Sequence, residues 1–141
     1  MPDLAALILL IDADDDRRRS LGALLKESGY ATLTAGDAQE ALETLAEHPG
    51  VEGLVVSWHL PEVNGLKLIR QAMKGTRYEG AVVLYDCPKP QFAEEKLGEW
   101  AEDRGLDYLV LEDPSDEAEL LEALEDVLSP DVVDSLTEED L

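Results

Sequence analysis

Asp12, Ser57 and Asp86 each follow a short apolar run, and these positions hold most of what the chain offers to chemistry. The runs are Leu7–Ile11, Leu54–Val56 and Ala81–Tyr85. Carboxylates at the exits of buried strands that face each other can bind a cation between their oxygens, or share a proton through like-charge repulsion. Asp14, Asp15 and Asp16 crowd the loop after the first run, where an acidic start to a helix also suits the helix dipole. Ser57 is a hydroxyl without a neighbouring base. With His48 and His59 as the two histidines, neither a histidine metal site nor a nucleophile–His–acid triad is visible, and no Gly-rich phosphate loop is present. Cys87 is the one cysteine, which excludes an intrachain disulfide framework and a cysteine metal cluster; a small buried thiol is its ordinary reading. The expectation is no catalytic residue, no cofactor and no metal.

The bulk composition narrows the class of partner. A chain of 141 residues is one domain long and can bury a sizeable core. Its 33 acidic residues against 11 basic ones give a net charge of −22. Such a surface repels phosphate backbones and anionic lipid, so no nucleic-acid or membrane partner is expected, and a basic protein partner is favoured. Acidity of this size also serves solubility, or adaptation to a salty cytoplasm. No apolar run of about 18 residues exists to span a membrane. The apolar N-terminal stretch has no basic flank before it and runs into Asp12, unlike a signal peptide. The expected location is cytoplasmic.

The elements that must position these residues alternate in type. Leu7–Ile11 reads as a strand buried on both faces. Asp15–Ser28 carries Leu21, Leu24 and Leu25 at helical spacing and closes at Gly29. Tyr30–Thr34 is β-prone; Asp37 caps a helix with Ala38, Ala41, Leu42 and Leu45, ended by Pro49 and Gly50. Leu54–Val56 is a third strand, and Asn64 caps a helix with Leu66, Ile69 and Met73 inward, ended near Gly75. Ala81–Tyr85, a helix over Phe92–Arg104 closed by Gly105, Tyr108–Leu111 and a helix capped by Ser115 or Asp116 complete the series.

Strands alternating with helices pair in parallel through right-handed crossovers. The predicted fold is α/β: a doubly wound (βα)5 three-layer sandwich on a five-stranded parallel sheet of order 2-1-3-4-5. Its crevice lies outside the carboxyl ends of strands 1, 3 and 4, bordered by the loops Asp12–Asp16, Ser57–Asn64 and Asp86–Pro90. Residues 1–128 form this domain. Residues 129–141 are an acidic tail with Val132, Val133, Leu136 and Leu141 interspersed, either frayed or a short amphipathic hook for this domain or a partner.

The order and spacing of several motifs resemble response-regulator receiver domains of two-component signalling, of the CheY-like kind, over about residues 6–128. They are Leu9-Leu10-Ile11-Asp12, Gly29-Tyr30, the run Ala35–Leu42, Leu60-Pro61-Glu62-Val63-Asn64-Gly65 and the run Gly105–Val110. The resemblance implies a phosphoryl-accepting site: two acidic residues after strand 1 and an aspartate ending strand 3 around Mg²⁺, a Thr or Ser after strand 4, and a Lys after strand 5. Phosphoryl transfer is largely positioning and charge stabilisation, which is why a cation must sit between oxygens.

This chain departs from that set. Asp12 keeps the first acidic place, but Ala13 stands at the directly coordinating carboxylate, Ser57 at the nucleophile, Asp86 at the Thr/Ser position and Leu111 at the Lys position, or Glu112 if the alignment slips by one. His59 stands where only a backbone carbonyl is needed. The losses cohere: Mg²⁺ wants carboxylate oxygens, Ser57 cannot form a mixed anhydride, and Asp86 would repel a phosphoryl group. The pattern is that of a degenerate pseudo-receiver.

What remains is surface. In the family it resembles, the face of the fourth helix, fifth strand and fifth helix is the usual output and dimerisation surface, implying a protein partner or a second copy there. Tyr108 matches the aromatic whose rotation reports activation, with one fixed orientation expected here; Trp100 is either core or interface. Arg17, Arg18 and Arg19 form the basic cluster, either paired locally with Asp14–Asp16 or facing an acidic partner. The expected function is a phosphorylation-independent interaction or dimerisation module in bacterial-type, two-component-like signalling, and not an enzyme. The alternatives are a receiver phosphorylated through unorthodox ligands and a small-molecule sensor using the crevice.

Overall fold

Apolar strands too short to be helices, each followed by a capped amphipathic segment, assemble into one parallel sheet between two helical layers. The computed structural model describes residues 6–104 and 106–128. In chain order the elements are β1 (Leu7–Ile11), α1 (Asp15–Glu27), β2 (Ala31–Ala35), α2 (Ala38–Glu47), β3 (Gly53–Ser57), α3 (Gly65–Gly75), β4 (Ala81–Cys87), α4 (Pro90–Arg104), β5 (Tyr108–Glu112) and α5 (Glu117–Leu128). The sheet order is β2-β1-β3-β4-β5, with every neighbouring pair parallel, as predicted.

The pleat sorts side chains between the layers. Leu9, Ile11, Leu54, Val56, Val82 and Leu84 pack under α2, α3 and α4, while Ile8, Leu10, Val55, Val83 and Tyr85 pack under α1 and α5. Burial on both faces explains why β1, β3 and β4 read as unbroken apolar runs rather than alternating ones.

The caps fix where each helix leaves the crevice end of the sheet. Asp14 accepts the amide of Arg17, Asp37 that of Glu40 and Asn64 that of Lys67. Of the two candidates for α5, Asp116 is the cap: its carboxylate accepts the Glu119 amide at 2.8 Å, and Glu119 reaches back to the Asp116 amide at 3.4 Å. Gly65 opens α3 where any Cβ would lie 2.4 Å from the carbonyl oxygen of Ser57, so the helix start can close against the strand end only with glycine.

Boundaries differ from the sequence reading mainly at the crevice. β3 runs on to Ser57, and β4 runs two residues past Tyr85. The extension passes through Asp86 at φ +55°, a left-handed conformation that aspartate tolerates better than most residues. The β4–β5 register shifts between Leu84 and Cys87 at that point. The irregularity turns Asp86 toward α1 and returns Cys87 to the α2–α3–α4 layer. The closing Gly105 and the tail after Leu128 lie outside the described residues. No described helix is long and apolar enough to cross a membrane.

Candidate functional site

The carboxyl ends of β1, β3 and β4 converge on a hollow of about 410 Å³ lined by Asp12, Ala13, Asp14, Arg17, Ser57, His59 and Asp86. The fold therefore brings together Asp12, Ala13, Ser57 and Asp86, as the sequence predicted. Asp12, Ser57 and Asp86 are the buried polar residues of the described core.

The arrangement turns on Arg17, which the sequence reading placed with Arg18 and Arg19 as a local partner of Asp14–Asp16 or a surface feature. That expectation is corrected. Arg18 does pair with Asp15 at 2.6 Å and Arg19 with Asp16 at 3.1 Å. Arg17 instead reaches across the crevice: Nη1 donates to Asp86 Oδ2, and Nη2 donates to Asp86 Oδ1 at 3.3 Å and to the carbonyl of Ser115 at 3.2 Å. Its Nε lies 3.7 Å from Asp12 Oδ2, and its guanidinium sits 4.8 Å from the centroid of the Tyr85 ring. The cap explains the reach. Asp14 fixes the start of α1, and side chains on a helix lean toward its N-terminus, which here overhangs the crevice.

Each carboxylate is satisfied on more than one side. Asp12 accepts the Tyr85 hydroxyl at 2.5 Å through Oδ2 and the Asp14 amide at 2.9 Å through Oδ1. Asp86 accepts the Ser115 amide at 3.1 Å in addition to the guanidinium. Among the described residues, no buried side-chain polar atom lacks a partner. Without Arg17, the two carboxylates would repel each other across the hollow with no opposite charge between them. A guanidinium between them reverses that sign, and its planar fork suits bidentate binding to Asp86. Burial pulls the Arg17 pKa down, but the hydrogen bond and charge of Asp86, helped by Tyr85 and Asp12, leave it above the ordinary arginine value. Burial, then the charge of Asp12, holds the Tyr85 hydroxyl far above its usual range, so it serves as a neutral donor.

Ser57 closes β3 with its hydroxyl accepting the His59 amide at 3.1 Å. It therefore makes a turn after the strand, with no base beside it. His59 is exposed, and its Nε2 stands 3.7 Å from Asp113 Oδ2 in the segment after β5. Leu111 does not line the hollow: its side chain packs with the α1–α5 layer, because the pleat at that point of β5 faces away from the crevice. Glu112, the alternative by one step, pairs in register with Cys87 and borders a separate groove with Pro88, Lys89, Pro90, Gln91 and Phe92. Among the described residues, no group of three or more His, Cys, Asp or Glu is arranged to hold a metal ion. Burial also raises the Cys87 thiol, away from the reactive thiolate.

The remaining surface candidates fall between core and solvent. Trp100 is half-buried against the α2–α3–α4 layer, with the Arg70 guanidinium 4.9 Å from its ring centroid. Tyr108 is half-buried in the same layer, and its hydroxyl stands beside Gly98, where an added Cβ would meet it at 3.1 Å. Sequence reasoning missed Arg17, Tyr85 and Ser115 as members of the site. The signal for Arg17 was its position three residues after an N-cap at the crevice end; Tyr85 and Ser115 carried none toward the site, since a core strand and a helix-cap candidate were their readings.

Comparison with known proteins agrees with this architecture. The model of the response regulator receiver domain matches residues 8–125. A chemotaxis protein CheY homolog of Campylobacter jejuni is 28% identical over 78 residues, covering 55% of this chain and 60% of that protein. Chemotaxis protein CheY1 of Helicobacter pylori is 30% identical over 73 residues, covering 51% of this chain and 59% of that protein. The chain thus spans about 60% of the length of these curated relatives. Among solved structures, the CheX-CheY-BeF3-Mg complex from Borrelia burgdorferi aligns with TM-score 0.71 at 19% identity, over 86% of this chain and 88% of that one. A sensor protein from Polaromonas aligns with TM-score 0.67 at 27% identity, over 89% and 97% of the two chains.

Proposed function

We propose, from the premise that this chain belongs to the response regulator receiver domain family, that it is a pseudo-receiver: a two-component signalling domain that acts without accepting a phosphoryl group. The observation that carries this reading is the Arg17 guanidinium shared by Asp86 and Asp12. A receiver site needs a removable cation between its carboxylates and a carboxylate nucleophile beside it. Here the cation is covalently part of α1, and the strand-end residue is Ser57, whose hydroxyl is committed to the His59 amide.

The crevice then serves as a fixed clasp. Arg17 joins the start of α1 to the end of β4 and to the loop before α5, and Ser20 adds a 2.7 Å hydrogen bond to Glu117. Held in one state, the domain presents a constant surface to a protein partner or to a second copy, through the face of α4, β5 and α5. It works as an interaction module and not as an enzyme, in the cytoplasm, with no nucleic-acid or lipid partner.

Acetyl phosphate with Mg²⁺, followed by intact-mass measurement, tests this directly. The expected result is an unchanged mass and an unchanged Trp58 emission, with beryllofluoride equally silent. A phosphoryl adduct that depends on Mg²⁺ would establish a receiver working through unorthodox ligands instead. A thermal shift with a nucleotide or metabolite, in the absence of any adduct, would favour a small-molecule sensor.

A further inference from the structure

At the end of the sheet away from the crevice lies a second hollow, of about 310 Å³, between the last turns of α2 and α3 and the segment leading into β4. Its lining includes the buried apolar side chains of Leu45, Val51 and Tyr78. The Tyr78 hydroxyl donates to the Ala81 carbonyl at 2.7 Å, which fixes the ring. Gly80 beside it leaves room for that hydroxyl, which a Cβ would collide with. α2 ends at its cap His48 and α3 at its cap Thr76, so the negative poles of two helices meet here.

Arg77 and Glu79 also line the hollow, and both are exposed. Neither side chain has a hydrogen-bond or ion-pair partner among the described residues, and they do not pair with each other. The other arginines with described side chains are engaged: Arg17 with Asp86, Arg18 with Asp15, Arg19 with Asp16, and Arg70 on the Trp100 ring. The Arg77 backbone sits at φ +59°, a left-handed conformation that glycine adopts without steric cost and arginine does not. It directly follows the cap of α3, where helices commonly place glycine. A long cationic side chain thus occupies a glycine position, and nothing in the described fold engages it, in a chain with 33 acidic residues.

We propose that this hollow binds a small zwitterion with an apolar body, the chemistry of a free α-amino acid with a hydrocarbon side chain. The carboxylate meets Arg77, whose planar fork suits bidentate contact. The ammonium meets Glu79 and the carbonyl ends of α2 and α3, where α2 has no basic residue in its last turn to compete. The hydrocarbon side chain covers Leu45, Val51 and Tyr78. Charge selects this class over simpler ones. A plain anion is repelled by Glu79 and by the two helix ends, and a plain cation is repelled by Arg77; a zwitterion satisfies both unpaired charges at once. Size agrees, since ligand pockets begin at about 300 Å³, room for one branched or aromatic side chain and not for a nucleotide. The site lies before β3 and β4, whereas Asp12, Ser57 and Asp86 stand at the carboxyl ends of the strands, so it is separate from the Arg17 clasp.

Titration of L-leucine and L-phenylalanine into the full chain, followed by amide chemical shifts, tests the assignment. The expected result is saturable shifts at Arg77, Glu79 and Gly80, half-complete near about 1 mM, with either amino acid. Isocaproate and isoamylamine, which are leucine without its ammonium or its carboxylate, bind at least roughly tenfold more weakly. Arg77→Gly and Glu79→Gln each weaken the amino acid by about tenfold or more. The Arg77→Gly backbone suits glycine, and an unchanged amide spectrum away from the hollow shows that its fold is intact. No saturable shift from either amino acid overturns the proposal, as does isocaproate or isoamylamine binding as tightly as leucine. Shifts that gather at Ser57 and Asp86 and survive Arg77→Gly also overturn it, by assigning the ligand to the crevice.

Discussion

Replacing Arg17 by Gln lowers the unfolding free energy by about 2–4 kcal/mol, although the residue is a partly exposed charge at the rim of the crevice. The cause is what remains. Asp86 and Asp12 have side chains only 8% and 5% exposed, and without the guanidinium they stay buried close to each other with no opposite charge. The upper end of the range for breaking a buried pair is discounted because the Arg17 side chain is itself 29% exposed. In thermal unfolding the loss reads as a fall in Tm of roughly 10 °C. Arg17→Lys recovers only part of it, since an ammonium lacks the fork that meets both Asp86 oxygens and the Ser115 carbonyl. The Arg17 pKa is raised in the folded protein, so its contribution is complete below the ordinary arginine range and is lost only as pH climbs through the raised value. Near neutrality the deficit of Arg17→Gln should therefore not change through any titration of Arg17. A variant as stable as the parent would mean that the pair contributes nothing.

Ser57→Asp, the change that nominally restores the missing nucleophile, is expected to damage the protein instead. Ser57 is 3% exposed and stands in the same hollow as Asp12 and Asp86. A third carboxylate there has one shared guanidinium for company and costs about 3 kcal/mol at neutral pH. The sign of its pH dependence follows from burial and like charge, which raise the introduced carboxyl above its unfolded value. The neutral form is tolerated below the unfolded value, and the penalty grows as pH rises toward the folded one. Chemical denaturation from pH 4 to pH 7 should therefore show a deficit relative to the parent that is small in acid and largest at neutrality. On the proposed reading the same variant stays unmodified by acetyl phosphate, with the Arg17 guanidinium still between Asp12 and Asp86.

The fold was legible because its signals are local. Leu7–Ile11 and Ala81–Tyr85 are too short and too apolar to be surface helices, and Asp37 and Asn64 announce helix starts within three residues of where the caps act. Which residues gather at the crevice was legible position by position, since Asp12, Ala13, Ser57 and Asp86 lie at or just after strand ends. The arginine that pairs with them was not. Arg17 and Asp86 are 69 residues apart, and nothing in a run of three arginines says which one turns inward. That choice is made by the Asp14 cap, which sets the phase of α1, and by the left-handed turn at Asp86, which aims the carboxylate. Leu111 was misplaced for a related reason. Counting from Tyr108 assumes a regular ladder, whereas the β4–β5 register shifts beside it and the pleat sends the side chain to the α1–α5 layer.

On the proposed reading, in which Arg17 takes the place of a divalent cation, the chain and its Arg17→Gln variant are expected to behave oppositely toward magnesium. Calorimetric titration of Mg²⁺ into both proteins is the most direct test. The prediction is no binding heat from the native protein at millimolar Mg²⁺, and saturable binding with a rise in Tm from the variant, whose Asp12 and Asp86 oxygens are then free to share the ion. Saturable Mg²⁺ binding by the native protein, with Arg17 in place, would contradict the account.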